Sequence, residues 1–398
     1  ALGRRVWRRT PSGAESTWEY DAAGHPVALH TAGRTLRFDH DVAGREVRRT
    51  LGAGTVLAQS WTADHRLASQ ALIRPDRTVQ QRSYTYRPDG ALIGVRDQLG
   101  GEHSYELDLV GRVTAVHGPQ RTERYAYDAA GDLAHADWRR SGSVDDAAMG
   151  GRQYAGAVIT RAGHTQYAHD AEGRIIARQV QRATWSYRWN AENQLIGVDT
   201  PDGQRWRYVY DPLGRRVAKE RLRPDGGVAE RVDFTWDDSS LVEQVHNGTN
   251  ATVWEWLPGS YRVLSQTERT ATAQQWVDQR FYAIVTDLVG TPAEMVDPDG
   301  GLAWHVDTTL WGVLQSSPGR AYTPLRFPGQ YHDPETGLHY NLNRYYDPTT
   351  ARYVSRDPLG LAPSPNPHAY APNPTRWIDP LGLMTCEGGT ASSQAGQA

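Results

Sequence analysis

Two aspartates stand in the same five-residue word, DPLGL, at 357–361 and again at 379–383. Two carboxylates brought close together cannot both ionise easily, so one proton is shared and a base and an acid are at hand together. Such a pair activates a water molecule for hydrolysis. Asp357 and Asp379 are the natural members, because two similar Asp-Pro turns can present two similar side chains to one bond. Asp333 and Asp347 sit in related turn words, HDPETG and YDPTT, and could replace Asp357 as the second member. The plainer alternative is that each aspartate caps its own turn through the backbone, as Asp before Pro commonly does.

Other chemistries find little support. No G-x-S-x-G occurs, so a serine triad lacks its usual elbow. No H-E-x-x-H occurs, and the 14 histidines are scattered without metal-ligand spacing. The DPDGG of 297–301 resembles part of a calcium loop but lacks the remaining ligands. Cys386 is the only cysteine, which excludes an intrachain disulfide and a cysteine-based zinc site. Neither a metal nor a cofactor is expected. A net charge of −3 offers no electrostatic case for nucleic acid or an anionic membrane, and no apolar run is long enough to span a bilayer. The opening ALGRRVWRRTPSG lacks the apolar core of a signal peptide and reads as the interior of a longer chain.

The elements that must position these residues are written as a repeat. WEYDAAG (18–24), FDHDVAG (38–44), YTYRPDG (84–90), YELDLVG (105–111), YAYDAAG (125–131), YAHDAEG (167–173), YRWNAEN (187–193) and YVYDPLG (208–214) share one template. Most steps between copies are 20 or 21 residues. Aromatics at i and i+2 lie on one face of a strand. Asp-x-x-Gly then supplies a reverse turn, and an aliphatic pair such as LIGV (92–95) starts the return strand. Each copy is therefore one β-hairpin that must stack on its neighbours to bury a face. With 20 Tyr and 14 Trp but only 4 Phe, the aromatics are mostly those with a polar tip. A β-propeller built from pairs of hairpins is the structural alternative, disfavoured because odd and even copies do not alternate.

After 225 the template fades. DFTWDDSSLVEQV (233–245) reads as an irregular hairpin, and further apolar strands follow. RFPGQYHDPETGLHYNLNRYYDPTTARYVSRDPLGL (326–361) then packs four turn words into one stretch. Next come a Pro/Asn-rich segment, 362–377, and a final Pro-x-x-x-x-Asp-Pro-x-Gly-Leu met by Pro374, Asp379, Pro380, Gly382 and Leu383.

The hairpin repeat resembles the YD repeat of bacterial Rhs proteins, of the C components of Tc-type toxins and of teneurins. The 326–361 stretch is similar to the Rhs-associated core. The resemblance implies an all-β fold in which the hairpins form a spiralling sheet, part of a hollow shell closed by the core. It divides the chain into a YD array (1–225), a core with a C-terminal autoproteolysis motif (226–383) and the start of a truncated variable toxin region (384–398). It further implies self-cleavage between Leu383 and Met384 through an aspartyl-protease-like site, with Asp357, Asp379 and Arg356 in the catalytic roles. An acyl-shift route is disfavoured, since Met384 rather than Ser, Thr or Cys follows that bond. The implied partners are the chain's own C-terminal toxin, type VI spike or adaptor proteins and an immunity protein. Delivery from a bacterium into a rival or host cell goes with them. The runner-up reading is an aromatic-rich surface module that binds carbohydrate or protein without catalysis.

Overall fold

The computed structural model describes residues 3–138, 145–273 and 275–388. Its main feature is one 28-stranded sheet running from Trp7–Arg9 to Leu302–His305. Strands pair antiparallel with their sequence neighbours, as the register from Trp7↔Thr17 to Val296↔Leu302 shows. The sheet is a continuous meander, not a ring of separate blades. It does not stop where the sequence template fades, because Val228–Asp237 pairs with Arg216–Leu222 before it and with Ser240–His246 after it.

The turn chemistry is local. At Asp41 the carboxylate Oδ1 accepts from the backbone N–H of Ala43 (2.9 Å) and Arg45 (3.0 Å), and Gly44 takes φ 75°. The Arg45 side chain returns to Asp41 Oδ2 at 2.8 Å and lies over Trp61 of the next hairpin. The same Asp–Arg clip recurs at Asp108–Arg112, Asp170–Arg174 and Asp211–Arg215.

A β-bulge follows the turn and explains the abundance of Tyr and Trp. At Tyr127 the register slips, so that this residue faces Leu133 and the ladder is interrupted there. The Leu133 carbonyl then accepts the Tyr154 hydroxyl of the next hairpin (2.8 Å). The pattern repeats: Tyr86 donates to Leu67, Tyr127 to Val113, Trp189 to Ile175, Tyr210 to Leu195, Trp236 to Arg216 and Trp256 to Leu241. A buried carbonyl beside such a bulge needs a partner where the ladder does not supply one. A phenol or indole tip supplies it; phenylalanine could not.

The sheet rolls up like a scroll with its last strands inside. Leu264, Phe281, Ala283, Val285 and Val296 pack against Trp18, Leu29, Leu36, Phe38, Leu57 and Leu72 of the first hairpins. The opposite faces of the same strands, through Tyr282, Ile284 and Met295, join the core segment. Strand Pro292–Val296 is accordingly buried at every position. Strands of the middle hairpins curve around a four-stranded sheet, Tyr331–Asp333, Leu338–Asn341, Arg344–Asp347 and Arg352–Tyr353. The inward aromatics of this part of the shell thus contact the chain's own core.

An ionic cluster pins that core to the wall. Arg216 and Lys219 of the wall bind Asp333, at 3.0 and 3.1 Å, and Lys219 also reaches Glu335. The Arg216 guanidinium is surrounded by the rings of Tyr208, Phe234, Tyr331, Tyr340 and Tyr345. Arg216 and Asp333 are both fully buried, so each charge depends on the other.

Candidate active site

The hairpin Leu338–Asn341 and Arg344–Asp347 turns through Leu342 and Asn343, and it carries most of what surrounds Asp379. Asn341 donates its Nδ2 to the Asp379 carbonyl and to the Tyr353 hydroxyl, both at 2.7 Å. Asn343 donates to the Leu381 carbonyl at 2.9 Å. Arg344 donates Nε to the Gly382 carbonyl at 2.6 Å and Nη1 to the Pro367 carbonyl at 3.2 Å. Three carbonyl groups of the turn before the 383–384 bond, those of Asp379, Leu381 and Gly382, are thereby fixed by one short hairpin.

The two DPLGL words converge on this arginine. Asp357 accepts the Leu359 N–H at Oδ1 (2.8 Å), and Asp379 accepts the Leu383 N–H at Oδ1 (2.9 Å). Each carboxylate therefore caps its own turn with one oxygen. The second oxygens of both bind Arg344 Nη2, at 2.8 Å for Asp357 and 3.2 Å for Asp379. Sharing a donor nitrogen holds the two carboxylates side by side. Turn cap and paired acid are compatible roles here, because a carboxylate has two oxygens.

All three charged groups are buried, with side-chain exposures of 2% for Arg344, 5% for Asp357 and 1% for Asp379. Burial pushes the Asp379 carboxyl above the usual carboxylate range, and the neighbouring Asp357 charge adds to the rise. Arg344, the Leu383 N–H and the Tyr353 hydroxyl, which donates to Oδ2 at 2.8 Å, oppose it without cancelling it. The Arg344 guanidinium also stacks 3.7 Å from the Tyr353 ring centroid. Burial drives His368 down to about 3, so it is neutral and donates Nδ1–H to the Tyr353 carbonyl. A cavity of about 330 Å³ opens beside the pair and is lined by Arg344, Asp357, Asp379, Leu383 and Thr385. Met384, on the far side of the bond, is exposed.

The remaining residues of the motif are structural. Gly382 has φ 68°, and a Cβ there would stand 2.5 Å from the Asn341 carbonyl oxygen. The Pro380 carbonyl similarly crosses Gly329 with no room for a side chain. Pro374 follows Asn373 in a turn closed by Arg376 N–H on the Asn373 carbonyl (3.1 Å).

Arg356 is placed elsewhere. It is exposed and faces a separate hollow lined by Glu192, Asn193, Tyr210 and Pro358, beside Gly173. Ser355 and Asp357 are buried while Arg356 between them is exposed. The arginine at the carboxylates is Arg344. Asp333 is held by Arg216 and Lys219, and Asp347 accepts from Thr349 and Tyr167, so neither reaches the pair. Arg344, Tyr353, Asn341 and Asn343 were not singled out from sequence. Their only signal was membership of NLNRYYDPTTARY (341–353), inside the stretch densest in turn words.

Residues 76–362 match the teneurin YD-shell family model, and residues 20–56 match that of the RHS repeat. The chain belongs to the teneurin YD-shell family. Among its relatives it is 35% identical over 367 residues to a probable deoxyribonuclease, RhsA, of Dickeya dadantii, covering 89% of this chain and 24% of that protein. It is 32% identical over 376 residues to double-stranded DNA deaminase toxin A of Burkholderia cenocepacia (87% and 26%). To toxin protein Tse5 of Pseudomonas aeruginosa it is 31% identical over 444 aligned positions (96% and 33%). The chain thus spans about a quarter to a third of the length of these curated relatives. Its fold is that of the Tc toxin shell. The crystal structure of TcdB2-TccC3 superposes with a TM-score of 0.76 at 18% identity, over 95% of this chain and 21% of that one. The Tc holotoxin pore of Photorhabdus luminescens gives 0.77 at 19% identity (98% and 21%).

Proposed function

We propose that this chain is the closing part of a polymorphic toxin shell that encloses a C-terminal toxin and frees it by cutting itself between Leu383 and Met384. The observation that carries the reading is the convergence of Asp357 and Asp379 on Arg344 Nη2, with the Leu383 N–H already bound to Asp379. Asp357, held by Arg344, takes a proton from a water in the adjoining cavity. The water oxygen bonds to the Leu383 carbonyl carbon, the C–N bond to Met384 breaks, and the Asp379 proton passes to the leaving nitrogen. The new Leu383 carboxylic acid passes its proton to the Met384 amine, so the products are a carboxylate and an ammonium group, and the pair still holds one proton, now on Asp357. Arg344, through the Gly382 carbonyl, fixes the peptide next to the cut, a positioning contribution that acts by geometry.

The array (1–225) and the core (226–383) form the shell in this proposal, and 384–398 begin the variable region. Toxin relatives that share this part of their length support the reading, and they suggest a delivered effector with an immunity protein and secretion-apparatus partners. A carbohydrate-stacking role is less well served, because the repeat aromatics are turned inward or spend their polar tips on neighbouring carbonyls.

The test is the intact mass of the full-length gene product under denaturing conditions, beside Asp379→Asn and Asp357→Asn. Asparagine keeps the turn-capping oxygen while removing the charge. Two fragments meeting at Leu383/Met384 in the wild type, and one uncut chain in both variants, are expected. An uncut wild type overturns the proposal.

A further inference from the structure

The bond between Leu383 and Met384 lies inside a small hairpin whose two sides are held by different parts of the protein. Upstream, Leu381 and Gly382 are bound by Asn343 and Arg344. Downstream, Cys386–Glu387 pairs antiparallel with Trp377–Ile378, in the register Trp377↔Glu387 and Ile378↔Cys386. The Gly388 N–H donates to the Arg376 carbonyl at 2.7 Å, and Arg376 Nε donates to Glu387 Oε1 at 2.9 Å. Gly388 is also wedged against Val289, since a Cβ there would stand 3.0 Å from the Val289 side chain. Val289 is buried and lies in the turn after Trp276–Thr286, one of the inner strands of the scroll.

We infer that Arg376–Ile378 and Val289 form a docking strand that binds the segment just downstream of the cut as an added β-strand, whether or not the 383–384 bond is intact. This rests on the self-cleavage reading. The strand pairing and hydrogen bonds that hold 386–388 join it to residues on the other side of the cut, and none of them involves the 383–384 peptide itself, so hydrolysis removes none of them. The new amino-terminal segment, Met384 to Gly388, remains seated as an added β-strand. In the uncut chain the same strand closes the hairpin whose loop carries the Asp379–Leu383 turn. The Arg376–Glu387 pair is about one-third exposed on each side, which makes it the weak and salt-sensitive part of the clasp.

Cys386 is the only cysteine in these residues and sits in the docked strand, so it reports the clasp directly. The experiment is maleimide labelling of Cys386 in the full-length protein, followed by peptide mass. Rates are compared for the cleaved wild type and for uncut Asp379→Asn, with Asp357→Asn as a second uncut reference. Equal, slow labelling of cut and uncut chains is expected. Glu387→Arg, which sets two cations together, should speed labelling about fivefold, and adding Arg376→Glu should slow it again. Gly388→Val, which drives a side chain into Val289, should speed it about tenfold by forcing the strand off. A cut wild type that labels as fast as the urea-unfolded protein refutes the clasp and leaves the cleavage reading standing. An uncut wild type refutes the cleavage reading and the retention that follows from it.

Discussion

Replacing Arg344 by glutamine tests the site at its centre. The side chain loses its charge, its hold on two carboxylates and its bond to the Gly382 carbonyl, while most of its volume stays. Asp357 and Asp379 are then left at side-chain exposures of 5% and 1% with no counter-charge between them. Removing one member of a buried ion pair costs about 3–5 kcal/mol. The size of the loss has a pH signature. Burial already holds the Asp379 carboxyl above its usual range, and the folded state prefers its proton. For such a raised group, stability is present at low pH and is lost as pH rises through the folded value. Without Arg344 that value rises further, so the deficit of Arg344→Gln should be larger at pH 8 than at pH 5. Adding Asp357→Asn removes one of the two buried carboxylates left without a counter-charge and should restore about 2 kcal/mol or more, while cleavage stays absent. Urea midpoints of the single and double variants, both uncut, measure the first effect, and intact mass over time measures the second. Wild-type cleavage by Arg344→Gln, or no regain of stability in the double variant, would refute the shared-nitrogen account.

Arg356→Ala should leave cleavage at the wild-type rate, because this side chain faces solvent and a different hollow; abolition of cutting by intact mass would return it to the site. Gly382→Ala should leave little cut product, since its methyl meets the Asn341 carbonyl at 2.5 Å and the carbonyl bound by Arg344 must move. Tyr127→Phe should cost roughly 1–3 kcal/mol of stability by orphaning the Val113 carbonyl, read as a lower urea midpoint with unchanged strand content by circular dichroism. Buried His332 and His368 are each pushed down to about 3. Their contribution is present above the unfolded histidine range near 6.5 and is lost as pH falls toward 3, so the urea midpoint should drop steadily below pH 6. His368→Gln should flatten that slope.

The chain's sequence by itself determined the hairpins. Alternating aromatics, an Asp-x-x-Gly turn and an aliphatic return are local signals, and a turn is decided by the few residues that make it. The same logic made Asp357 and Asp379 visible, because a repeated word repeats its turn. Only the tertiary structure decided which residues meet them. Arg344 lies 35 residues before Asp379 and reaches it because the core hairpin is folded against the last turn, whereas Arg356, adjacent to Asp357 in sequence, points the other way. The polar tips of Tyr and Trp were legible as a composition, but their purpose required the bulge carbonyls of neighbouring hairpins. The scroll, with its last strands enclosed by its first, was likewise beyond any periodicity. Local rules specify backbone conformation within a few residues, while contacts between distant segments depend on how the whole sheet curls, and that is settled by packing.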